Sequence, residues 1–307
     1  TNKEMIRPRS LLGLVHHANQ RAALLPSQQH ACARGWQQAL ARDFGNGGNF
    51  GRILGSVSRG RSFASPSLAG MATSVEMVKF ARADGTEVPA YSSAKGPKNG
   101  LVVIQEWWGI NDQIKATAGN MADKCGVQVC VPDLYRSKVA YEAAEANHLL
   151  SELDWPGAMQ DAKASAAYLK SQGCEKVAIV GFCMGGALAL GAGCSFDEIS
   201  ASICFYGFNA GLADMATMTK PTQCHFGTMD DIKGFSATDA QDKLEGLLTT
   251  AGCPVEFYRY QGAGHGFMNG TDWGKEMQLK LGRPANDQAV IDLAMDRVNV
   301  FLQKHLA

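Results

Sequence analysis

From about residue 74 onward, short continuous apolar runs alternate with longer stretches in which apolar residues recur three and four positions apart. Val75 to Ala81 and Val88 to Tyr91 read as a hairpin, because Ala83-Asp84-Gly85 between them is turn chemistry. Leu101 to Gln105 and Val127 to Val131 are continuous apolar runs of the kind found in buried parallel strands, and Pro132 closes the second. Between them, Asn111 to Lys124 puts Ile114, Ala118 and Met121 on one helical face. Val139 to Asp154 and Pro156 to Gln172 read as helices, with Pro156 in a first turn and Gly173 as a stop. Val177 to Val180, Ala201 to Tyr206, Pro221 to Phe226 and Val255 to Tyr260 supply further strands. Ser236, with Asp239 three residues on, reads as the cap of a helix ending at Gly252. Asn286 to His305 is an amphipathic closing helix with Val290, Leu293, Ala294, Val298 and Phe301 inward. Gly207 to Thr219 has no period and is expected as a loop near the pocket. Strand and helix alternate throughout, which predicts an α/β fold with a mostly parallel sheet flanked by helices.

The junctions between these elements carry the chemistry. The run Val177-Ala178-Ile179-Val180 passes directly into Gly181-Phe182-Cys183-Met184-Gly185-Gly186 and then into the small-residue helix Ala187-Leu188-Ala189-Leu190. Strand, Gly-x-Cys-x-Gly and helix together form the setting of a nucleophile elbow, with a thiol where serine is more familiar. Phe226-Gly227-Thr228-Met229-Asp230 places a carboxylate just past another strand, with Asp231 as a second candidate. Gly262-Ala263-Gly264-His265-Gly266-Phe267 places a glycine-flanked histidine past the next. The chain order Cys183, Asp230, His265 is that of the α/β-hydrolase triad. Taken singly, Cys183 suits a core position and the two aspartates suit turns or caps; the conjunction at strand ends is what selects the catalytic reading. Glu106 follows Leu101 to Gln105 and precedes Trp107 and Trp108, so burial would be costly without a partner. Trp107 and Trp108 themselves read as core or pocket wall.

At these residues the chain resembles the dienelactone hydrolase (carboxymethylenebutenolidase) family. The likeness spans about residues 75 to 307 and includes Gln105-Glu106-Trp107-Trp108-Gly109-Ile110-Asn111, Val131-Pro132-Asp133-Leu134-Tyr135, the elbow and Gly264-His265-Gly266-Phe267. The resemblance implies an α/β-hydrolase fold and a small ester or lactone, dienelactone-like, as substrate. It implies Cys183 as nucleophile with His265 and Asp230, favouring Asp230 over Asp231, and an acyl-thioester intermediate. It places Glu106 against the resting thiol, to help deprotonate it when substrate binds. It assigns the oxyanion hole to the backbone N–H groups of Met184 and Trp107. Members acting on dienelactone hold the substrate carboxylate with two arginines. Those positions are Ser137 and Asn269 here, leaving Arg136 and Lys138 as neighbouring candidates and Trp108 as a pocket contact. A non-catalytic ligand-binding protein is the alternative, and a redox-sensing thiol protein using Cys194 or Cys204 is a third reading.

Composition narrows the setting. The 307 residues carry 29 basic and 29 acidic side chains, which argues against a nucleic-acid surface as the main function. No apolar run reaches a membrane-spanning length, and no cofactor or metal site is expected; Cys125 and Cys130 lack a matching His/Cys cluster. The nine cysteines read as reduced thiols, and the expected partner is a small molecule, with the protein a monomer. Residues 1-71 differ: eight arginines, from Arg7 to Arg61, stand against only Glu4 and Asp43 as acids, among Ala, Ser, Gly and Gln. That composition is expected of an organellar transit peptide, mitochondrial in preference to chloroplast. The same stretch reads alternatively as a disordered basic extension, or as sequence upstream of a start at Met71, which would make the protein cytoplasmic. The hydrolase domain is expected over 72-307.

Overall fold

A computed structural model describes residues 73–307; the basic N-terminal stretch, with the transit-peptide expectation, lies outside the described residues. Eight strands form one sheet: β1 (Glu76–Ala81), β2 (Glu87–Ser92), β3 (Asn99–Ile104), β4 (Gln128–Pro132), β5 (Lys176–Phe182), β6 (Ala201–Phe205), β7 (Thr222–Gly227) and β8 (Val255–Tyr260). Their order is β1-β2-β4-β3-β5-β6-β7-β8. β1 and β2 pair antiparallel, as does β2 with β4, and every later pairing is parallel. This is the mostly parallel α/β sheet that the alternating pattern predicts, in the α/β-hydrolase architecture that the resemblance implies. β3 to β6 are buried almost end to end, which is why they read as unbroken apolar runs.

Among the described residues, seven α-helices lie between or after the strands: α1 (Asp112–Cys125), α2 (Ala143–Ser151), α3 (Trp155–Ser171), α4 (Met184–Ser195), α5 (Thr238–Ala251), α6 (Asp272–Lys280) and α7 (Gln288–Leu306). α1 starts at the Asn111 cap, whose side chain accepts from the Ile114 N–H, and stops at Gly126 in the left-handed region. α4 is buried all round, consistent with its Gly/Ala/Leu composition, and packs on β5 and β6. α7 lies across β5 to β7, burying Ala294, Val298 and Phe301.

Several local expectations are corrected. α2 begins at Ala143, four residues later than the apolar pattern placed it, because Lys138 to Tyr141 first runs under Trp108, with the Ala140 N–H donating to the Trp108 carbonyl. Leu293 faces solvent at 45% exposure, because the buried stripe of α7 passes through Ala294 and Met295 instead. α5 is not capped by Ser236: its N-cap is Ala237, with no side-chain bond. The Gly207 to Thr219 segment packs beneath α4, burying Met215 and Met218, and the pocket is covered instead by α6, which the sequence pattern did not reveal.

His225 belongs to the core. Its ring stacks on Phe205 with centroids 4.3 Å apart, Nδ1 bonds the Tyr260 hydroxyl at 2.8 Å, and Nε2 bonds Gln223 Oε1 at 2.9 Å. Burial, with the nearby Arg297 charge, lowers its pKa to about 3, so it stays neutral and ties β7 to β8.

The β5–α4 corner is the tightest point in the fold. A Cβ on Gly181 would lie 1.8 Å from the Gly185 carbonyl oxygen, and one on Gly185 would lie 2.5 Å from the Gln105 carbonyl oxygen. Gly181→Ala is therefore expected to destabilise the protein by about 3 kcal/mol or more. Denaturant unfolding monitored by circular dichroism checks this, and a midpoint within error of wild type would contradict the geometry.

Candidate active site

The end of β5 turns so sharply into α4 that Cys183 takes φ 54 and ψ −120, a left-handed backbone that a side chain adopts only under constraint. The constraint is visible. The Cys183 N–H donates to the Phe205 carbonyl at 3.0 Å, and the Cys183 carbonyl accepts from the Gly186 N–H at 2.8 Å. A Cβ on Gly207 would lie 1.9 Å from that same carbonyl oxygen, so the chain two residues past β6 must also be glycine to fit beneath the elbow. The side chain of Cys183 is thereby projected into a cavity lined by Glu106, Trp107, Trp108 and His265. Met184, the first residue of α4, directs its backbone N–H at the thiol.

Asp230 leaves β7 and His265 follows β8, and the two side chains meet: Asp230 Oδ2 lies 2.9 Å from His265 Nδ1. Asp231 is exposed, so Asp230 is the carboxylate that orients the imidazole. Ser236 completes this pair. Its hydroxyl donates to Asp230 Oδ1 at 2.7 Å and lies 3.0 Å from His265 Nδ1. The network assigns the proton to Nδ1, which leaves Nε2 as the base. Nε2 is buried and has no hydrogen-bond partner among the described residues, so its lone pair is available to a reacting group. Burial raises the Asp230 carboxyl, but the charge His265 carries when protonated and the bonds from His265, Ser236 and the Ile232 N–H outweigh it, and the net shift is downward.

Glu106 is buried, two residues past the end of β3. Burial raises its pKa to about 7, against the opposing effects of the Tyr206 hydrogen bond and the Arg283 charge. Tyr206 was not singled out as a site residue from sequence. It follows β6 with φ 41, and its hydroxyl donates to Glu106 Oε1 at 2.9 Å while its ring edge meets His265 at 5.1 Å between centroids. Burial, and secondarily Glu106, push the Cys183 thiol far above its ordinary range; the Met184 N–H only partly offsets them. The resting thiol is therefore protonated.

The structure brings Glu106, Trp107, Trp108, Cys183 and His265 to one cavity, with Asp230 behind the histidine. It does not bring Arg136 or Lys138 there. Arg136 pairs with the buried Asp161 at 2.8 Å, and its guanidinium also donates to the Asp133 carbonyl; Lys138 is exposed. The cause is the turn after β4, where Arg136 and Ser137 both adopt positive φ while the Asp133 carboxylate accepts from the Tyr135 and Ser137 N–H groups. Asn269 does line the cavity, but its Oδ1 accepts from Thr271 Oγ1 at 2.8 Å and anchors the start of α6. The arginine at the cavity is Arg283, in the turn after α6.

Comparison with known proteins identifies the family. The sequence profile of the dienelactone hydrolase family matches residues 87–306. The chain belongs to the dienelactone hydrolase family. It is 27% identical over 209 residues to a carboxymethylenebutenolidase of Rhodococcus opacus, covering 62% of this chain and 79% of that protein. It is 30% identical over 207 residues to "Protein usf" of Aquifex pyrophilus, covering 63% of this chain and 87% of that one. Among solved structures, a dienelactone hydrolase-like promiscuous phosphotriesterase from metagenomic libraries superposes with a TM-score of 0.63 at 21% identity, covering 76% of this chain and 99% of its own. That likeness establishes the fold. As a member of the dienelactone hydrolase family, the chain departs from the resemblance in where its cavity arginine arises.

Two predictions follow from the electrostatics. The folded-state pKa of Glu106 lies above the ordinary 4.5, so the native protein holds a proton that the unfolded chain releases. Wild-type stability should therefore fall, relative to Glu106→Gln, as pH rises from about 4.5 to about 7, by on the order of 3 kcal/mol across that window. Parallel pH slopes for the two proteins in urea titrations would contradict the assignment. Ser236→Ala should lower kcat about 10-fold with little change in KM, because it loosens the Asp230–His265 pair during proton transfer. A simple helix cap would instead cost about 1 kcal/mol of stability and leave kcat alone.

Proposed function

We propose that this protein cleaves small esters or lactones through Cys183, His265 and Asp230, by way of an acyl-thioester. Membership of the dienelactone hydrolase family supports ester or lactone hydrolysis as the reaction class. The observation that carries the finer reading is the buried, unpartnered Nε2 of His265, held by Asp230 and facing the same cavity as a thiol on a strained elbow.

In this reading substrate displaces the resting arrangement, and the thiol proton ends on His265 Nε2, with Glu106 as the carrier beside the sulfur. The thiolate attacks the carbonyl carbon, forming a C–S bond and an oxyanion that accepts from the backbone N–H groups of Met184 and Trp107. Collapse breaks the C–O bond, and the leaving oxygen takes the proton from His265. Water then attacks the thioester, giving its proton to Nε2, and releases the carboxylic acid as the thiol is restored. Trp108 forms cavity wall, and its ring meets Trp273 of α6 edge-on at 5.0 Å. Arg283 supplies the positive charge for an anionic acyl group, the task that Arg136 and Lys138 are not placed to perform.

Cys183→Ala should lower turnover of p-nitrophenyl acetate and of dienelactone at least 1000-fold on the order seen when a nucleophile is removed. A brief substrate pulse followed by mass spectrometry should show an acyl adduct on wild type and none on the variant. Undiminished turnover by Cys183→Ala rules the mechanism out, and saturable binding without turnover by wild type would favour a ligand-binding protein. Arg283→Gln should lower kcat/KM for dienelactone about 10- to 100-fold relative to p-nitrophenyl acetate, the range for a charge-assisted hydrogen bond. An unchanged ratio removes Arg283 from substrate binding.

A further inference from the structure

α6 and the turn behind it form a cap over the cysteine. Gly274, Met277, Gln278, Leu281 and Arg283 all line the cavity, opposite Cys183 and His265. The cap is built to sit close. The Thr271 hydroxyl accepts from the Gly274 N–H at 3.0 Å while donating to Asn269, and a Cβ on Gly274 would fall 2.0 Å from Asn269 Oδ1. Trp273 braces the cap against Trp108 and against Tyr141. The Arg283 N–H donates to the Gln278 carbonyl at 2.9 Å, so the turn closes back on the helix. The free volume left inside is about 10 Å³, room for roughly one water.

One group in this wall is anomalous. Gln278 is 6% exposed, and its Oε1 is buried without a hydrogen-bond partner among the described residues. Its Nε2 packs against Gly266, where a Cβ would come within 2.5 Å, and the φ of 76 at that position independently favours glycine. A protein gains nothing in stability from a buried acceptor left unpaired, and leucine would fill the same space without that penalty. A carboxamide kept in the wall of a reaction cavity makes sense when the ligand brings the donor.

We propose that Gln278 is a specificity residue that accepts a hydrogen bond from the acyl portion of the substrate, so that the preferred substrates are esters or lactones carrying a hydroxyl or N–H donor close to the reacting carbonyl. The inference rests on the hydrolase reading for its consequence in turnover, but the binding it describes does not require catalysis. A site that hydrogen-bonds a substrate hydroxyl discriminates strongly against the analogue lacking it, because that analogue leaves the buried acceptor unpaired. This differs from recognition of a carboxylate: the ligand group is a donor, and the protein group is neutral.

The test uses α-hydroxy-γ-butyrolactone against γ-butyrolactone, a neutral pair differing in one hydroxyl. Binding is followed by ligand-detected NMR titration on the Cys183→Ala protein, where no turnover interferes, and hydrolysis is followed by pH-stat on wild type. The hydroxylated lactone should bind at least 10-fold more tightly than the parent on the Cys183→Ala background. Adding Gln278→Leu should remove that preference, and adding Gln278→Glu, which keeps an acceptor, should retain it. Thermal unfolding of each variant shows whether it is folded. If Gln278→Leu does not fold, Gln278→Met, which also lacks the acceptor, takes its place. Equal affinity for the two lactones, no saturable binding of the hydroxylated one, or a preference that survives loss of the carboxamide overturns the proposal. A Gln278-dependent binding preference without Cys183-dependent hydrolysis would uphold it while overturning the hydrolytic mechanism.

Discussion

The backbone conformation of Cys183 is the constraint on which the rest of the site depends. A non-glycine residue at φ 54 costs on the order of 1–3 kcal/mol and persists only where its surroundings leave no other choice. Here those surroundings are Gly181 and Gly185, close enough to exclude any side chain, and Gly207 pressed against the Cys183 carbonyl from the neighbouring strand end. The strain also propagates. Just before Gly207 beneath the elbow, Tyr206 turns at φ 41, and that turn carries its phenol to Glu106. One steric requirement therefore sets both where the sulfur points and what holds the nearby carboxylate.

The same closeness makes the site electrostatically quiet at rest. Cys183 is buried beside Glu106, so its thiolate is disfavoured, while Glu106 itself is poised near neutrality by burial against the Tyr206 bond and the Arg283 charge. Asp230 is held on the ionised side by His265, Ser236 and a backbone N–H. Two carboxyl groups in one small site are thus separated in acidity by environment alone, the ordinary route to distinct acid and base roles. The cap of α6 reinforces this state by leaving almost no free volume over the sulfur. In the mechanism proposed above, activation falls to the ligand, which enters beneath the cap and stabilises negative charge that the empty site penalises.

The parts of the site that were readable from sequence are those dictated by short-range geometry. Gly181 to Gly186 announces an elbow because tight turns and close strand–helix contacts tolerate only glycine. Asp230 and His265 were readable because each follows a strand directly, and parallel sheets collect such residues at one edge. Ser236 was misread for an equally local reason: Ser followed by Asp three residues on is also cap chemistry, and only the approach of the Asp230 and His265 loops shows where its hydroxyl goes. Arg136 was drawn toward the substrate by its neighbourhood in sequence, yet the positive φ of Arg136 and Ser137 turns it to Asp161. Its charge is spent on a pair with a buried helix residue that lies 25 positions away along the chain.

By itself, then, the sequence determined the alternation that builds a parallel sheet, the elbow, the order of Cys183, Asp230 and His265 at successive strand ends, and the carboxylate after β3. All of these are written in steric and periodic rules that act over a few residues. The tertiary structure alone decided which aspartate meets His265, that Tyr206 bonds Glu106 and Ser236 bonds the Asp230–His265 pair, that α6 closes the cavity, and that Arg283 and Gln278 line it where Arg136 and Lys138 do not. The physical reason is that these outcomes depend on side chains from distant segments meeting within hydrogen-bonding distance. Such distances are set by how β3, β5, β7, β8 and the α6 cap converge, which no local pattern encodes.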